Sequence, residues 1–312
     1  MYRFKKVSIE NYDDIIELYN KAFNLKTTKS EIYKKYDTTI FGSFTIGLIA
    51  ETEKKEIAAY YGVFPIGFKY KDESFLVAQS GDTMTSLNHR KKGLFTQLAT
   101  QNQKKCISEG LKFIYGFPNN NSMPGFERKL GWRFYGNMKL FTLKISTLPL
   151  CEGSEKFRFL KPMYNYYVRK RLKCFFTPLT EDNITSFNTM TSTGLVAKDM
   201  NYFVYKLKNL TNYFIEYNKF KLLIKTDGHM RVGVVGFFNH NRLVEFLKSI
   251  DSLAKMLGCK KVIFIMNDNH WLFSYLKNAI PYENSLPVGF FEIDKSIDYS
   301  KIEFTQSDYD TF

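Results

Sequence analysis

Three consecutive cations and a glycine, Arg90, Lys91, Lys92 and Gly93, stand where a strand-like run gives way to a helix-like one. The start of a helix presents amide N–H groups with no partner inside the helix, together with a partial positive charge. Phosphate groups bind there readily. Gly93 lets the backbone approach a bulky anion with no Cβ in the way, and the three cations add charge at the same point. The segment is therefore suited to grip a pyrophosphate. It is neither a P-loop nor a dinucleotide fingerprint, because both G-x-x-x-x-G-K-[ST] and G-x-G-x-x-G are missing. Just upstream, Asp82 follows Gly81 in an otherwise apolar strand pattern. Aspartate is disfavoured inside strands, and a buried carboxylate needs a partner or a raised pKa. Two readings of Asp82 stay open: a catalytic base or substrate anchor, and a structural aspartate beside a bulge at Gly81.

The elements around these residues follow from periodicity. A first strand is expected over residues 2–9 and a helix from residue 11, with Asp13 and Asp14 in its first turn. A short helix is expected over 29–36. Strands are expected at 44–51, 56–70 and 74–87, with a bend or bulge in the second, which contains Gly62, Pro65 and Gly67. A long helix over 91–109 ends at Gly110 in the usual C-terminal manner. A buried strand at 111–117, an Asn-rich loop at 118–122, a short helix at 126–130 and a strand at 132–146 complete the first half. This is an α/β fold with a mixed sheet. In the second half, strands at 213–217, 220–226 and 231–238 precede a helix at 241–257 and a strand at 260–266. Asn267, Asp268 and Asn269 are expected to cap a helix at 270–279, and a last strand spans 286–293. The order at 241–279 echoes that at 91–130, which points to a degenerate internal repeat. Domains are expected at 1–148 and 160–312, divided within the segment 149–162.

Composition limits the partners. The 312 residues carry a formal net charge of +14. That excess suits an anionic partner, such as a nucleotide-bearing cofactor, a nucleic acid, an acidic carrier protein or a membrane surface, although a Lys-rich proteome gives the same number. The cysteines, Cys106, Cys151, Cys174 and Cys259, form no C-x-x-C pair, and the four histidines supply no metal-ligand spacing beside them. No metal is expected. The N-terminal residues lack the apolar stretch of a signal peptide, and no apolar run is long enough to span a bilayer. A reduced, cytoplasmic protein is expected.

The segment from Thr83 to Phe95, with Arg90 and Gly93 at its turn, resembles the acyl-CoA-binding motif of the GNAT N-acetyltransferase superfamily, which reads Arg/Gln-x-x-Gly-x-Gly/Ala. It departs at the last position, where Phe95 replaces a small residue, as in larger two-domain relatives. The following GFPNNNSMPGFERKLGW, residues 116–132, resembles the next segment of those relatives. The resemblance covers residues 1–145 and implies a GNAT-like N-terminal domain followed by a degenerate GNAT-like second domain. It implies that backbone groups at Thr83, Met84 and Thr85 face a thioester and its pantetheine arm. It also implies that the amides from Arg90 through Lys91, Lys92, Gly93, Leu94, Phe95 and Thr96 would hold the pyrophosphate of acetyl-CoA or another acyl-CoA, and that Asn119 and Asn121 could contact the cofactor. A plain loop-capping role for the two asparagines stays equally open. Where many relatives place a proton-donating Tyr, this chain has Phe126. The implied activity is N-acyl transfer to a small-molecule amine or amino sugar. An acidic acyl-carrier protein is a possible donor, and nucleic acid is not an expected partner. The alternatives are an aminoacyl-tRNA-dependent ligase on the same tandem fold and a non-catalytic binding protein.

Overall fold

A computed structural model describes residues 1–188 and 194–312. Along the chain come β1 (Tyr2–Lys6), α1 (Tyr12–Phe23), α2 (Lys29–Tyr36), β2 (Ile46–Thr52), β3 (Ile57–Tyr70), β4 (Glu73–Thr85), α3 (Leu94–Ser108), β5 (Phe113–Gly116), α4 (Met123–Leu130) and β6 (Arg133–Lys144). They are followed by α5 (Leu150–Lys156), α6 (Lys161–Leu172), α7 (Glu181–Ile184), β7 (Gly194–Val196), α8 (Met200–Leu207), β8 (Asn212–Tyr217), β9 (Phe220–Thr226) and β10 (Met230–Val235). The last elements are α9 (Leu243–Leu257), β11 (Lys261–Met266), α10 (Trp271–Leu276), β12 (Tyr282–Glu292) and β13 (Ile302–Glu303). Two compact units result: residues 1–136 with 287–300, and residues 137–286 with 301–312. The segment read from sequence as a boundary, 149–162, holds α5, and residues 287–300 count with the first unit rather than the second.

In the first unit, β1 to β4 pair antiparallel in sequence order, β5 lies parallel to β4, and the end of β12 lies antiparallel to β5. Successive side chains of a strand point to opposite faces, and β3 shows it. Tyr60 and Phe64 pack with Ile15, Leu18, Ile32 and Tyr36 of α1 and α2. Tyr61 and Val63 pack instead with Leu94, Leu98 and Ala99 of α3 and Phe126 and Leu130 of α4. The register between β3 and β4 slips once: Tyr61 faces Thr83 while Val63 faces Ser80. Gly81 and Asp82 thus stand opposite Gly62 alone, so the bulge expected near Gly62 has its extra residue in β4. Glycine is required on both sides. A Cβ on Gly81 would lie 1.8 Å from the Phe64 ring, and one on Gly62 would lie 2.2 Å from Tyr60 Oη.

The second unit repeats these strand directions. β8, β9 and β10 are antiparallel, β11 is parallel to β10 after the α9 connection, and β6 is antiparallel to β11. A register slip recurs in β10, with Gly233 as the extra residue. The strand that follows α4 in the chain therefore serves β11, while the strand that follows α10 serves β5. Asn267 does not cap α10 as expected. Its amide and carbonyl bind Ile302 O at 2.7 Å and Phe304 N at 2.9 Å, and His270 occupies the N-cap instead.

The chain end is anchored by buried lysines of the second unit. Lys198 pairs with Asp308, Lys206 donates to Tyr309 O at 2.7 Å, and Lys225 donates to Thr311 O at 2.6 Å. Burial lowers the Lys206 ammonium from its ordinary 10.5 to about 7. Between those values the unfolded chain binds a proton that the folded chain does not, so stability rises as pH climbs above 7. Below pH 7 the penalty is fully present. We expect the melting temperature to increase between pH 7 and 8.5, with Lys206 contributing a slope of up to about 1.4 kcal/mol per pH unit. Lys206→Met, followed by thermal melts across that range, should flatten the rise; an unchanged slope would remove Lys206 as its source.

Candidate functional site

The ladder between β4 and β5 has two rungs, Ala78↔Ile114 and Gln79↔Tyr115, whereas β4 runs on to Thr85, held on its other edge by β3 as far as Ala59. Among the described residues, no rung between β4 and β5 follows Gln79↔Tyr115. Ser80 stands at the fork, where a Cβ on Gly116 would lie 3.1 Å from Ser80 Cβ. Its hydroxyl is 2.8 Å from Tyr61 Oη. Beyond the fork, the side chains of Thr83 and Thr85 are half-buried, and Met84 is buried in the core under α1 and α2.

After Thr85 the chain makes a short turn and then the basic segment. The helix starts at Leu94, three residues later than the sequence suggested. Lys91 and Gly93 cause the delay, with left-handed φ of 62° and 72°. That conformation is ordinary for glycine and unfavourable for lysine. No side chain caps α3, and the first amide to bond back into the helix is that of Gln97, to Gly93 O at 3.1 Å. The amides of Leu94, Phe95 and Thr96 thus precede the first helical bond. Arg90, Lys91, Lys92 and Gly93 are exposed. Leaving aside the neighbouring backbone, the nearest atom to a Cβ built on Gly93 is the side-chain Nε2 of Gln97, 3.6 Å away. His89 accepts from or donates to Tyr2 Oη at 2.8 Å, and Lys92 lies over the Tyr2 ring. The side chains of Leu94 and Phe95 turn inward. Phe95 meets Tyr61 and Phe126, and Phe126 is buried against Trp132.

Asp82 is buried on the α1 and α2 face, and each of its oxygens has a donor. Lys35 Nζ lies 2.7 Å from Oδ1 and Tyr36 Oη lies 2.9 Å from Oδ2. Lys35 is also 5.6 Å from the centre of the Tyr19 ring and 5.5 Å from that of Phe64, a cation–π setting. The Tyr36 phenol is pushed well above its ordinary pKa by burial and by the neighbouring Asp82 charge, so it stays protonated and donates. Sequence reasoning missed Lys35 and Tyr36. They end an amphipathic helix, and nothing in local spacing pairs them with position 82.

Asn119 and Asn121 are exposed, and they are engaged with each other. Asn119 Oδ1 accepts from the amides of Asn121 and Ser122 at 3.0 and 3.1 Å, and Asn119 O accepts from Met123 N at 2.9 Å. This is turn chemistry at the start of α4. Tyr115 is buried among the rings of Phe113 and Phe117, and Tyr135 donates to Glu292 at 2.6 Å. In the second unit the region matching the β4–β5 fork is filled from within. Thr305 bridges Met266 of β11, and the Phe312 ring lies where a Cβ on Gly233 would be, 2.3 Å away.

A sequence profile described as an acetyltransferase (GNAT) domain matches residues 3–135. No similar sequence was found among curated proteins. Solved structures share the fold at low identity. A GCN5-related N-acetyltransferase from Kribbella flavida is 12% identical, with 94% of this chain and 72% of that one aligned at a TM-score of 0.60. A probable N-acyltransferase from Enterococcus faecalis is also 12% identical, with 94% and 73% covered at 0.56. A glucosamine N-acetyltransferase region of a fungal multi-domain β-N-acetylglucosaminidase is 11% identical, with 93% and 38% covered at 0.58.

Proposed function

We propose, from the match of residues 3–135 to the acetyltransferase (GNAT) domain, that the chain is a GNAT-type, acyl-CoA-dependent N-acyltransferase acting on a small amine or amino sugar. The observation that carries this reading is the fork between β4 and β5, placed one short turn before the uncapped amides at the start of α3. The residues fit the donor. Leu94, Phe95 and Thr96 offer amides to a diphosphate, Arg90, Lys91 and Lys92 surround it with cations, and Gly93 leaves the approach open. An acyl thioester supplies an electrophilic carbonyl carbon for an amine nitrogen to attack. The part of β4 from Ser80 to Thr85, past its last rung with β5, is the strand along which a pantetheine arm would lie and whose amides would face a carbonyl oxygen that gains negative charge. Asn119 and Asn121 act as loop formers in this reading and leave cofactor contact to the α3 turn.

On the acceptor side, Asp82 is proposed as an anchor for a protonated or polar acceptor rather than as a base. Lys35 and Tyr36 already donate to both of its oxygens, an arrangement that suits holding a donor more than abstracting a proton. Phe126 has no proton to give a departing thiolate. The hydroxyl pair of Tyr61 and Ser80 stands at the fork, and coenzyme A is a tolerable leaving group without a proton donor.

Calorimetry with acetyl-CoA tests the reading. The wild type should bind in the micromolar range, and the double variant Arg90→Ala, Gly93→Asp should lose at least 100-fold in affinity, because a carboxylate then sits where the diphosphate does. Equal binding by the two proteins, or none by either, would overturn it.

A further inference from the structure

The second unit carries a basic and apolar surface that the acyl-transfer site does not use. Between Lys156 and Thr180 the sequence holds seven Lys or Arg and no Asp or Glu. This stretch contains α6. The helix buries Tyr164, Val168 and Leu172 in the core, a spacing of four residues that defines its inner face. Met163, Tyr166 and Lys170 follow an i, i+3, i+7 pattern centred on the opposite face at 100° per residue. Phe159, in the turn just before α6, is 76% exposed, and Met163 and Tyr166 are 68% and 71% exposed. The exposed Phe157 ring lies 6.2 Å from that of Phe159, so the apolar surface is continuous there. Arg158, Arg169, Lys170, Arg171 and Lys173 are also exposed around it.

An isolated exposed Phe needs no explanation, but aromatic and methionine side chains grouped among cations do. We propose that this face of α6 and the turn before it docks on an anionic lipid bilayer. Charge selects the occupant. Lys161 is paired with Glu155 and Asp227, which leaves six exposed cations, Lys156, Arg158, Arg169, Lys170, Arg171 and Lys173, to complement acidic headgroups, and each cation close to such a surface adds about 5-fold to the partition coefficient. The outward Phe, Met and Tyr side chains then enter the boundary between headgroups and acyl chains, the arrangement of helices that lie on a membrane. A nucleic acid would use the cations and leave these side chains without a role. Among the described residues no helix is long and apolar enough to cross a membrane, so the contact is one of surface association.

Vesicle sedimentation with the full chain tests this, comparing phosphatidylcholine alone with phosphatidylcholine containing 30% phosphatidylglycerol. The wild type should partition at least 10-fold more strongly onto the anionic vesicles. Lys170→Gln with Lys173→Gln should lower that partition by about 25-fold, two cations at about 5-fold each. Phe159→Ala with Met163→Ala and Tyr166→Ala should lower it at least 10-fold at unchanged melting temperature. Four results would overturn the proposal: no binding to either vesicle, equal binding to both, variants that bind like the wild type, or a wild-type dimer in sedimentation velocity that the apolar triple variant dissociates. The last would assign the face to a second copy of the chain. Binding to tRNA that the lysine variants lose and the apolar variant keeps, with no vesicle binding, would overturn it in favour of nucleic acid.

Discussion

A chain ending at residue 281 is expected not to fold, even though the whole of the segment matching the GNAT profile, 3–135, is retained. The lost segment supplies the strand beside β5, with Gly289 to Glu292 paired to Gly116 to Phe113. It also carries seven buried apolar residues: Val288, Phe290, Ile297, Tyr299, Ile302, Phe304 and Phe312. At about 1.5–3 kcal/mol for each buried large side chain, the loss matches or exceeds the roughly 5–15 kcal/mol by which proteins are stable. In the first unit it exposes β5 and uncovers Phe113, which meets Phe290 and Tyr299 edge to face. A fragment of residues 1–148 should fail for the same reason. Circular dichroism melts and acetyl-CoA calorimetry on both truncations check this. A cooperative transition with wild-type affinity in either would show that β5 does not need its antiparallel neighbour.

Removing the carboxylate at position 82 should have the second-largest effect, and stability and turnover should separate. Asp82→Ala takes away the ion-pair partner of Lys35, whose side chain is only 14% exposed, and the acceptor of the Tyr36 hydroxyl. Breaking a buried pair from one side costs about 3–5 kcal/mol, and we expect the lower end because Lys35 keeps some access to water. For a protein of this size that corresponds to a drop in Tm on the order of 6–12 °C. Asp82→Asn keeps the shape and a hydrogen-bond acceptor and should cost less. If Asp82 anchors the acceptor, Asp82→Asn should bind acetyl-CoA within about 2-fold of wild type. It should raise KM for an amino-sugar probe such as glucosamine more than it lowers kcat. A fall in kcat alone, with a shifted pH profile, would make Asp82 the base instead. Wild-type kinetics with a lowered Tm would leave it a purely structural residue at the bulge.

Much of the first unit was legible because its signals are local. The expected helix at 29–36 is formed over those same residues, and the long strands differ from expectation by one or two positions at their ends. The basic turn before a helix was legible, although the helix start was placed early. The left-handed backbone at Lys91 is not a preference of lysine, so sequence gives no warning of it. The Asn-rich loop was recognised, while its turn hydrogen bonds, which favour the plainer of the two readings, depend on coordinates. What stayed hidden is long-range. Lys35 and Asp82 are separated by 46 intervening residues, and neither is unusual in its own segment. The helix α5 lies where a boundary was read, and α6, α7 and α8 lie largely where no element was assigned. The weak periodicity of α6 has a physical reason: its outer face also carries large apolar side chains, Met163 and Tyr166. The repeat was visible as an echo of strand, loop and helix, but the exchange of the final strands was not, because β-pairing leaves no mark on composition.

That exchange has a consequence for how the two halves can change over time. The chain passes between the units three times, at 136/137, 286/287 and 300/301, and each half finishes the sheet that the other begins. The second unit is therefore free to lose a binding gap of its own, as its Phe312-filled groove illustrates, yet not free to be discarded. Splitting the gene between them, or replacing one half with that of a relative, would leave two incomplete sheets instead of one working protein.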